Sequence, residues 1–337
     1  GWQDNIGGLM EHWKSEHQRE ESSAEFGSAE QSAPSASSAT SPIAGDTFDS
    51  DASAEHGSAA RSSDRSSDSL PSPPSPIRFL GEPTDAASLG TLEQYDIQAY
   101  VGSGATGHLF KAWDRVLKRT VAIKVLRHEL AILTSARERF VREAHAAARL
   151  QSDYIAAIHE IHTPDDFSPW LVLQFIEGES LDWQLRERGS FAPADAVVAV
   201  SQILRGLRTA HAAGIVHRDI KPANVLHDSN ASTLRLVDFG LARLSAERPS
   251  DLTSEGVIAG TPAYMSPEQI LDAASADERA DVYSTGVVLY ELLSGERPFR
   301  GPVRTLLQDA VHTEARPVRD FDERIPRDLQ TICQKSM

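Results

Sequence analysis

The run Gly102-Ser103-Gly104-Ala105-Thr106-Gly107-His108-Leu109-Phe110 constrains the fold of this chain more than any other stretch. Glycines spaced GxGxxG leave backbone amides free to lie against phosphates. What flanks them separates the folds that use such a loop. A dinucleotide-binding fold needs a strand before the glycines and a helix after them. Here apolar residues lead in through Tyr95, Ile97, Tyr100 and Val101. They lead out through Lys111-Ala112-Trp113 to Thr120-Val121-Ala122-Ile123-Lys124-Val125-Leu126. The pattern predicts a glycine-rich hairpin and then a further strand, which argues against the dinucleotide fold.

Lys124 stands inside that apolar strand, where an ammonium needs an anionic partner. Residues 135–150 carry a helical pattern with Arg142-Glu143-Ala144, so Glu143 is one candidate partner and a phosphate is another. The plainer alternative has Lys124 snorkelling to the surface and Glu143 as a solvated helix charge. Two apolar runs follow, 154–161 and 170–176, and Glu177-Gly178 breaks the pattern. The chain is mainly helical from there to His217. A strand-rich first part and a helix-rich second part predict two lobes with a ligand cleft between them.

The second chemistry-bearing stretch is His217-Arg218-Asp219-Ile220-Lys221-Pro222-Ala223-Asn224. It sets a carboxylate, cations and an amide within a few residues, and Pro222 keeps it out of a helix interior. The flanking pairs Ile215-Val216 and Val225-Leu226 read as short strands that anchor a tight loop. Downstream, Leu234-Arg235-Leu236-Val237-Asp238-Phe239-Gly240 reads as a strand ending in a carboxylate. Asp238 and Asn224 would offer hard oxygen ligands suited to magnesium. Residues 241–259 are polar and loop-like. They close at Gly260-Thr261-Pro262-Ala263-Tyr264-Met265-Ser266-Pro267-Glu268, before a helix carrying Asp281, Val282, Tyr283 and Gly286.

Charge is distributed unevenly along the 337 residues. Residues 1–90 hold 15 acidic against 5 basic side chains, so −10 of the formal −16 falls there. Such a surface argues against nucleic acid as the main partner, because phosphate binding needs clustered cations. Residues 1–20 read as a short helix with Ile6, Leu9, Met10 and Trp13 on one stripe. The stretch 21–90, rich in Ser, Ala, Pro and acids, reads as a disordered linker with too few apolar groups to offset its ordering entropy. The single cysteine, Cys333, precludes an internal disulfide and reads as a small apolar residue of a late helix. No run of 18 apolar residues is present to span a membrane, and the chain opens on Gly1 without a charged-then-apolar leader.

Taken in order, the glycine-rich loop, Val121-Ala122-Ile123-Lys124, Glu143, residues 217–224, Asp238-Phe239-Gly240 and Ser266-Pro267-Glu268 resemble the signature set of protein kinases. The phrases HRDIKPANVL, GTPAYMSPEQ and DVYSTGVVLYELLSGERPF narrow the resemblance to the bacterial, eukaryotic-like serine/threonine protein kinases. It implies an α+β, two-lobed kinase fold over 91–337, with a small strand-rich lobe at about 91–176 and a larger helical lobe at about 177–337. It also implies ATP and Mg2+ as cofactors, with Mn2+ as the alternative ion.

By the same resemblance Lys124, paired to Glu143, would hold the α- and β-phosphates under the loop of Gly102, Ser103, Gly104 and Gly107. Adenine would lie among Leu109, Ala122 and Leu226, bonded by backbone groups of Gln174 and Ile176, with Leu173 limiting the pocket. Asp219 would act as the base. Lys221 would sit by the γ-phosphate, and with Thr261 it would favour serine and threonine acceptors. Asn224 and Asp238 would bind the metal. Leu109 and Gln174 depart mildly from the usual valine and glutamate. Arg218 implies a phosphorylated activation loop within 241–259, with Thr253 ahead of Ser254 and Ser250.

Protein substrates and ATP are thus the expected partners, with dimerisation open and a cytoplasmic kinase domain expected. Tethering to a membrane by a further C-terminal segment is a compatible arrangement. The family's helical lobe continues past the equivalent of Met337 to an arginine that pairs with the glutamate at position 268, so the lobe is expected to be truncated here. The rival readings are an inactive fragment or pseudokinase serving as a scaffold, and a small-molecule phosphotransferase. Intact Lys124, Asp219 and Asp238 oppose the pseudokinase, and the segment Gly260–Glu268 opposes the phosphotransferase. His211 and His227 read as surface or packing residues, and His217 as a brace for the catalytic loop.

Overall fold

The computed structural model describes residues 80–84, 88–165, 167–239, 262–272 and 276–337. The helix expected over 1–20, most of the 21–90 linker, the 241–259 loop and Thr261 lie outside the described residues.

Six strands form one antiparallel sheet: β1 (Gly90–Leu92), β2 (Tyr95–Ser103), β3 (Gly107–Asp114), β4 (Arg119–Leu126), β5 (Ile158–His162) and β6 (Trp170–Gln174). Their order across the sheet is β1-β2-β3-β4-β6-β5. Pairing begins ahead of residue 91, where the sequence starts the expected domain. Gly81 exchanges backbone hydrogen bonds of 2.8 and 3.2 Å with Thr91, and Leu80 packs onto the sheet's core.

Alternation along β4 divides the strand between two jobs. Val121, Ile123 and Val125 point into a cluster with Ile97, Phe110, Trp170 and Val172. Ala122, Lys124 and Leu126 take the opposite face. There Leu126 and Leu171 meet Ala136, Phe140 and Ala144 of α2 (Thr134–Ala147), a helix that follows the single turn α1 (His128–Ala131). Residues 136, 140 and 144 recur every fourth position, so one helix stripe is buried and the rest solvated.

The helical part opens with α3 (Leu181–Arg188). Ser180 caps it, its Oγ accepting from Trp183 N at 3.1 Å, and Gly189 ends it at φ 75°. Helices α4 (Pro193–Ala212) and α6 (Glu278–Ser294) form the centre of the largest apolar cluster, with Leu207, Val287, Val288 and Leu292 fully buried. Each such side chain contributes about 1.5–3 kcal/mol. Around them lie α5 (Pro267–Leu271), α7 (Val303–His312) and α8 (Arg327–Ser336), the last burying Leu329, Ile332 and Cys333.

Between α4 and α5 the hairpin β7 (Val225–Asp228) and β8 (Thr233–Leu236) carries the polar stretches. Its turn is fixed by the Asp228 carboxylate, which accepts from Asn230 N at 3.0 Å and Ala231 N at 3.3 Å and pairs with Arg235 at 2.7 Å. Burial alone would raise the Asp228 carboxyl, but Arg235 and the two amides outweigh it and hold it below the usual range.

One expected strand is not a strand. Ile215-Val216 has no strand partner among the described residues. Ile215 N instead donates back to Ala210 O at 2.9 Å, closing the end of α4, and Gly214 turns the chain at φ 74°. The loop that follows is therefore anchored on its N-terminal side by a helix end, and by a strand only after Asn224.

Candidate active site

The glycine-rich turn joins β2 to β3. Gly104 N bonds Gly107 O at 2.9 Å, and Arg127 secures the turn twice, Nε donating to Gly104 O at 2.8 Å and N to Thr106 O at 3.0 Å. The three glycines are there for different reasons. A Cβ on Gly107 would sit 2.4 Å from Val125 O, so packing of β3 on β4 demands its absence. At Gly102 and Gly104 a Cβ would meet nothing within 4 Å, and neither residue has positive φ. The fold itself does not require those two glycines. Close approach of a ligand to this backbone would require them, and that fits a polyphosphate beside Ser103.

Sheet register assembles the residues beneath this turn. Leu109 faces Lys124 across β3 and β4, while Ala122 faces Leu173 and Lys124 faces Leu171 across β4 and β6. Directly opposed residues share a face, so Leu109, Ala122, Lys124 and Leu173 line one surface. Lys124 is buried, at 5% exposure, and its Nζ lies 2.7 Å from Asp238 Oδ1.

This is not the partner expected for it: the ion pair of Lys124 is with Asp238, while Glu143 is half-buried on α2. Asp238 follows β8 in the left-handed region, at φ 65°, and that turn delivers its carboxylate to the strand opposite. A buried ammonium takes the carboxylate that local backbone geometry brings to it. Burial would push the Asp238 carboxyl up. The Lys124 ammonium outweighs this, with His217 and Lys221 adding to it, and the group is held below the usual carboxylate range.

The loop 217–224 holds Asp219 from several sides. Lys221 Nζ donates to Asp219 Oδ2 at 2.7 Å, and Asn224 Nδ2 donates to the same oxygen at 2.9 Å and to Asp219 O at 2.8 Å. Asn224 closes a short 3-10 turn with Pro222, and both are buried beside the anchors Ile220 and Val225. Val237 N donates to Asn224 O at 3.0 Å, which sets this loop next to the residue preceding Asp238.

Beneath it, His217 is fully buried. Its Nε2 donates to Val237 O at 2.9 Å, its Nδ1 accepts from Asp219 N at 3.3 Å, and its ring lies 4.4 Å from that of Phe239. It is the brace expected.

Three residues that do most to orient the loop escaped the sequence reading. Asp281 of α6, fully buried, accepts from His217 N (2.8 Å) and His211 Nε2 (2.6 Å) at Oδ2, and from Arg218 N (2.7 Å) at Oδ1. His211 is thus a buried hydrogen-bond donor, beyond the packing role expected of it. Gln269 of α5 donates from Nε2 to Arg218 O at 3.0 Å. The signal for Asp281 lay in the sequence: a carboxylate in the run Ala280-Asp281-Val282-Tyr283 of an otherwise apolar helix must find buried donors. No comparable signal marks Gln269.

A family model described as the protein kinase domain matches residues 95–335. The chain belongs to the protein kinase domain family. The antiparallel sheet with α2 and the helical part after Gly178 are the two lobes of the kinase fold. The serine/threonine-protein kinase PknL of Mycobacterium tuberculosis is 43% identical to this chain over 220 residues, covering 65% of this chain and 53% of that protein. The probable serine/threonine-protein kinase PknB of Corynebacterium glutamicum is 36% identical over 234 residues, 68% of this chain and 36% of its own. PknB of Mycolicibacterium smegmatis is 35% identical over 250 residues, 73% and 40% respectively. The chain spans about half the length of the first of these relatives and less of the others.

The remaining kinase positions fall as follows. Gln174 ends β6. Its N–H donates to Ala157 O at 2.8 Å and its Oε1 accepts from Ala157 N at 3.3 Å, so amide hydrogen and side chain are both committed to the sheet. Glutamine in place of glutamate costs nothing at such a position. Ile176 is buried just beyond, and Leu226 is half-buried on β7. Thr261 is outside the described residues, as is Gly240. Among the described residues no three His, Cys, Asp or Glu side chains cluster at metal-binding distance. One carboxylate and one amide, Asp238 and Asn224, suffice for Mg2+ carried on phosphates, which keeps water and phosphate oxygens as its other ligands. No helix among the described residues is long and apolar enough to cross a membrane.

Proposed function

We propose that this chain is an ATP-dependent serine/threonine protein kinase that transfers the γ-phosphoryl group of Mg-ATP to protein hydroxyls. The observation that carries the reading is the state of Asp219. It is a partly exposed carboxylate held by Lys221 and Asn224 in a loop bonded to the strand that delivers Asp238 to Lys124.

In the reaction a bond forms between the acceptor oxygen and the γ-phosphorus while the bond from that phosphorus to the β–γ bridging oxygen breaks, and ADP leaves. Asp219 orients the acceptor hydroxyl and takes its proton as the new bond forms. Lys221, which pairs with Asp219 Oδ2, would neutralise charge on the transferring group, and Lys124 would hold the α- and β-phosphates. Gly102, Ser103, Gly104 and Gly107 cover the phosphates. Leu109, Ala122, Leu173 and Leu226 enclose adenine, with hydrogen bonds from backbone groups of Gln174 and Ile176. Asn224 and Asp238 would hold Mg2+, which would supply charge neutralisation for the transferring phosphoryl group.

Thr261 with Lys221 selects serine and threonine acceptors. Arg218 supports a 241–259 loop phosphorylated first at Thr253, then Ser254 or Ser250. Mass spectrometry of ATP-treated protein tests that part; full activity with an unmodified loop refutes it. The activity is tested by transfer of labelled phosphate from ATP with Mg2+ to the chain itself and to a basic protein. Asp219→Asn is expected to reduce transfer at least about 100-fold, the scale of a general base. Equal transfer by the variant would refute the assignment.

A further inference from the structure

We infer that Gln269 is a positioning residue that couples the segment Ser266–Glu268 to the orientation of Asp219, acting through the Arg218 peptide. The inference rests on the proposed phosphotransfer reaction.

Gln269 occupies the third position of α5 and completes a capping box. Its backbone N donates to Ser266 Oγ at 3.4 Å, and its Oε1 accepts from Ser266 N at 3.1 Å. Glutamate would serve a capping box equally well, and near a helix N-terminus its charge is an advantage. Local helix physics therefore gives no reason for glutamine. The reason is at the other end of the amide, where Nε2 donates 3.0 Å to Arg218 O, 51 positions away in sequence. One end of the side chain faces an N–H and the other faces a carbonyl, so only an amide in this orientation satisfies both.

Arg218 needs such holding. It is a non-glycine residue at φ 65° in a fold that fixes its peptide groups on both sides. Its N–H is bound by Asp281 and its guanidinium donates to Ala276 O at 3.0 Å. Its carbonyl belongs to the peptide unit whose N–H is that of Asp219, which donates to His217 Nδ1. Rotating that unit moves the backbone from which the Asp219 carboxylate projects. Gln269 is thus a direct link between the helix cap that follows Pro262–Tyr264 and the residue that acts on the acceptor hydroxyl.

Gln269→Glu isolates the link. It keeps the acceptor for Ser266 N and replaces the donor with a carboxylate oxygen facing a carbonyl. The expected result is a melting temperature lowered by less than in Gln269→Ala, an unchanged KM for ATP, and kcat for peptide phosphorylation lowered about tenfold where the variant is fully folded. The ratio of wild-type to variant kcat narrows as pH is lowered, because the introduced carboxyl, once protonated, donates to Arg218 O again. Gln269→Ala lowers both melting temperature and kcat, since it also loses the cap.

A Gln269→Glu variant with wild-type kcat overturns the inference, and so does a loss of activity that merely tracks the unfolded fraction. Hydrogen exchange of the Asp219 amide gives a readout independent of catalysis. Faster exchange in Gln269→Glu supports the link and unchanged exchange overturns it, even if the wild-type chain transfers no phosphate and the activity reading alone fails.

Discussion

Asp281→Asn removes one acceptor from the most connected buried carboxylate of the site, and its cost can be worked from the contacts. Oδ2 accepts from His217 N and His211 Nε2, and Oδ1 accepts from Arg218 N. An asparagine can turn its oxygen toward only one of these sets. The better choice keeps His217 and His211 and sets Nδ2 against Arg218 N, donor to donor. That arrangement loses one charge-assisted bond and leaves a buried N–H unsatisfied, about 2–3 kcal/mol together.

For a domain of this size such a loss lowers the melting temperature by about 5–10 °C. Because the orphaned amide belongs to Arg218, next to Asp219, the loop shifts and kcat falls about 10- to 100-fold, with a smaller change in KM for ATP. Thermal scanning and steady-state kinetics at a temperature where the variant stays folded measure the two effects. His211→Gln, which touches only one of the three donors, gives a smaller drop in both. An Asp281→Asn protein with unshifted melting temperature and kcat would refute the account. A lowered melting temperature with full kcat would show that Asp281 supports the helix packing but not the loop.

Other expectations follow from the same geometry. Asp238→Asn leaves the buried Lys124 facing a neutral amide and destabilises by about 1–2 kcal/mol, below the cost of a fully buried pair because the Asp238 side chain is 36% exposed. Since the Asp238 carboxyl is held low in the folded state, its stabilisation is complete above the unfolded value of about 3.9 and is lost as pH falls through the folded value. The gap in melting temperature between wild type and Asp238→Asn is therefore constant from neutral pH down to about 5 and closes in more acid solution. Gly107→Ala forces the backbone away from Val125 O and costs about 1–3 kcal/mol of stability, whereas Gly102→Ala and Gly104→Ala leave the melting temperature alone and raise KM for ATP about tenfold. Burial pushes the Cys333 thiol up to about 12, so it resists alkylation at about pH 8 in the folded protein and reacts on unfolding.

What could be read from the sequence was what is local in the chain. The loop 217–224 names its own chemistry because Asp219, Lys221 and Asn224 lie within six residues and bond to one another there. The glycine-rich hairpin was legible from its glycines between apolar runs, and α2 from a helical pattern over residues 135–150. What escaped depends on distant pairing. Asp281 reaches His217 across 64 positions and Gln269 reaches Arg218 across 51, and neither α6 nor α5 advertises its partner. Lys124 illustrates the same limit: its need for an anion follows from one apolar strand, but the choice of Asp238 depends on a left-handed turn at the end of another. Ile215-Val216 misled because two β-branched residues carry strand propensity, yet a strand also needs a neighbour to bond.

The division of β4 between two faces has a consequence for how this kinase domain tolerates change. Odd and even positions of that strand are different trades: Ile123 and Val125 are interior bulk, and Ala122 and Lys124 face the other way, toward the proposed nucleotide site. A slip of a single residue in the β3–β4 pairing would carry the ammonium into the hydrocarbon and an isoleucine to the face Lys124 now occupies, whereas a slip of two would keep each side chain's surroundings apolar or polar as before. The tight connection Arg115–Lys118, with Lys118 at φ 52°, is what counts the residues. Substitutions at the exposed tip, Val116 and Leu117, leave that count untouched, whereas a one-residue insertion within either strand would exchange the two faces beyond it unless a bulge absorbed the extra residue.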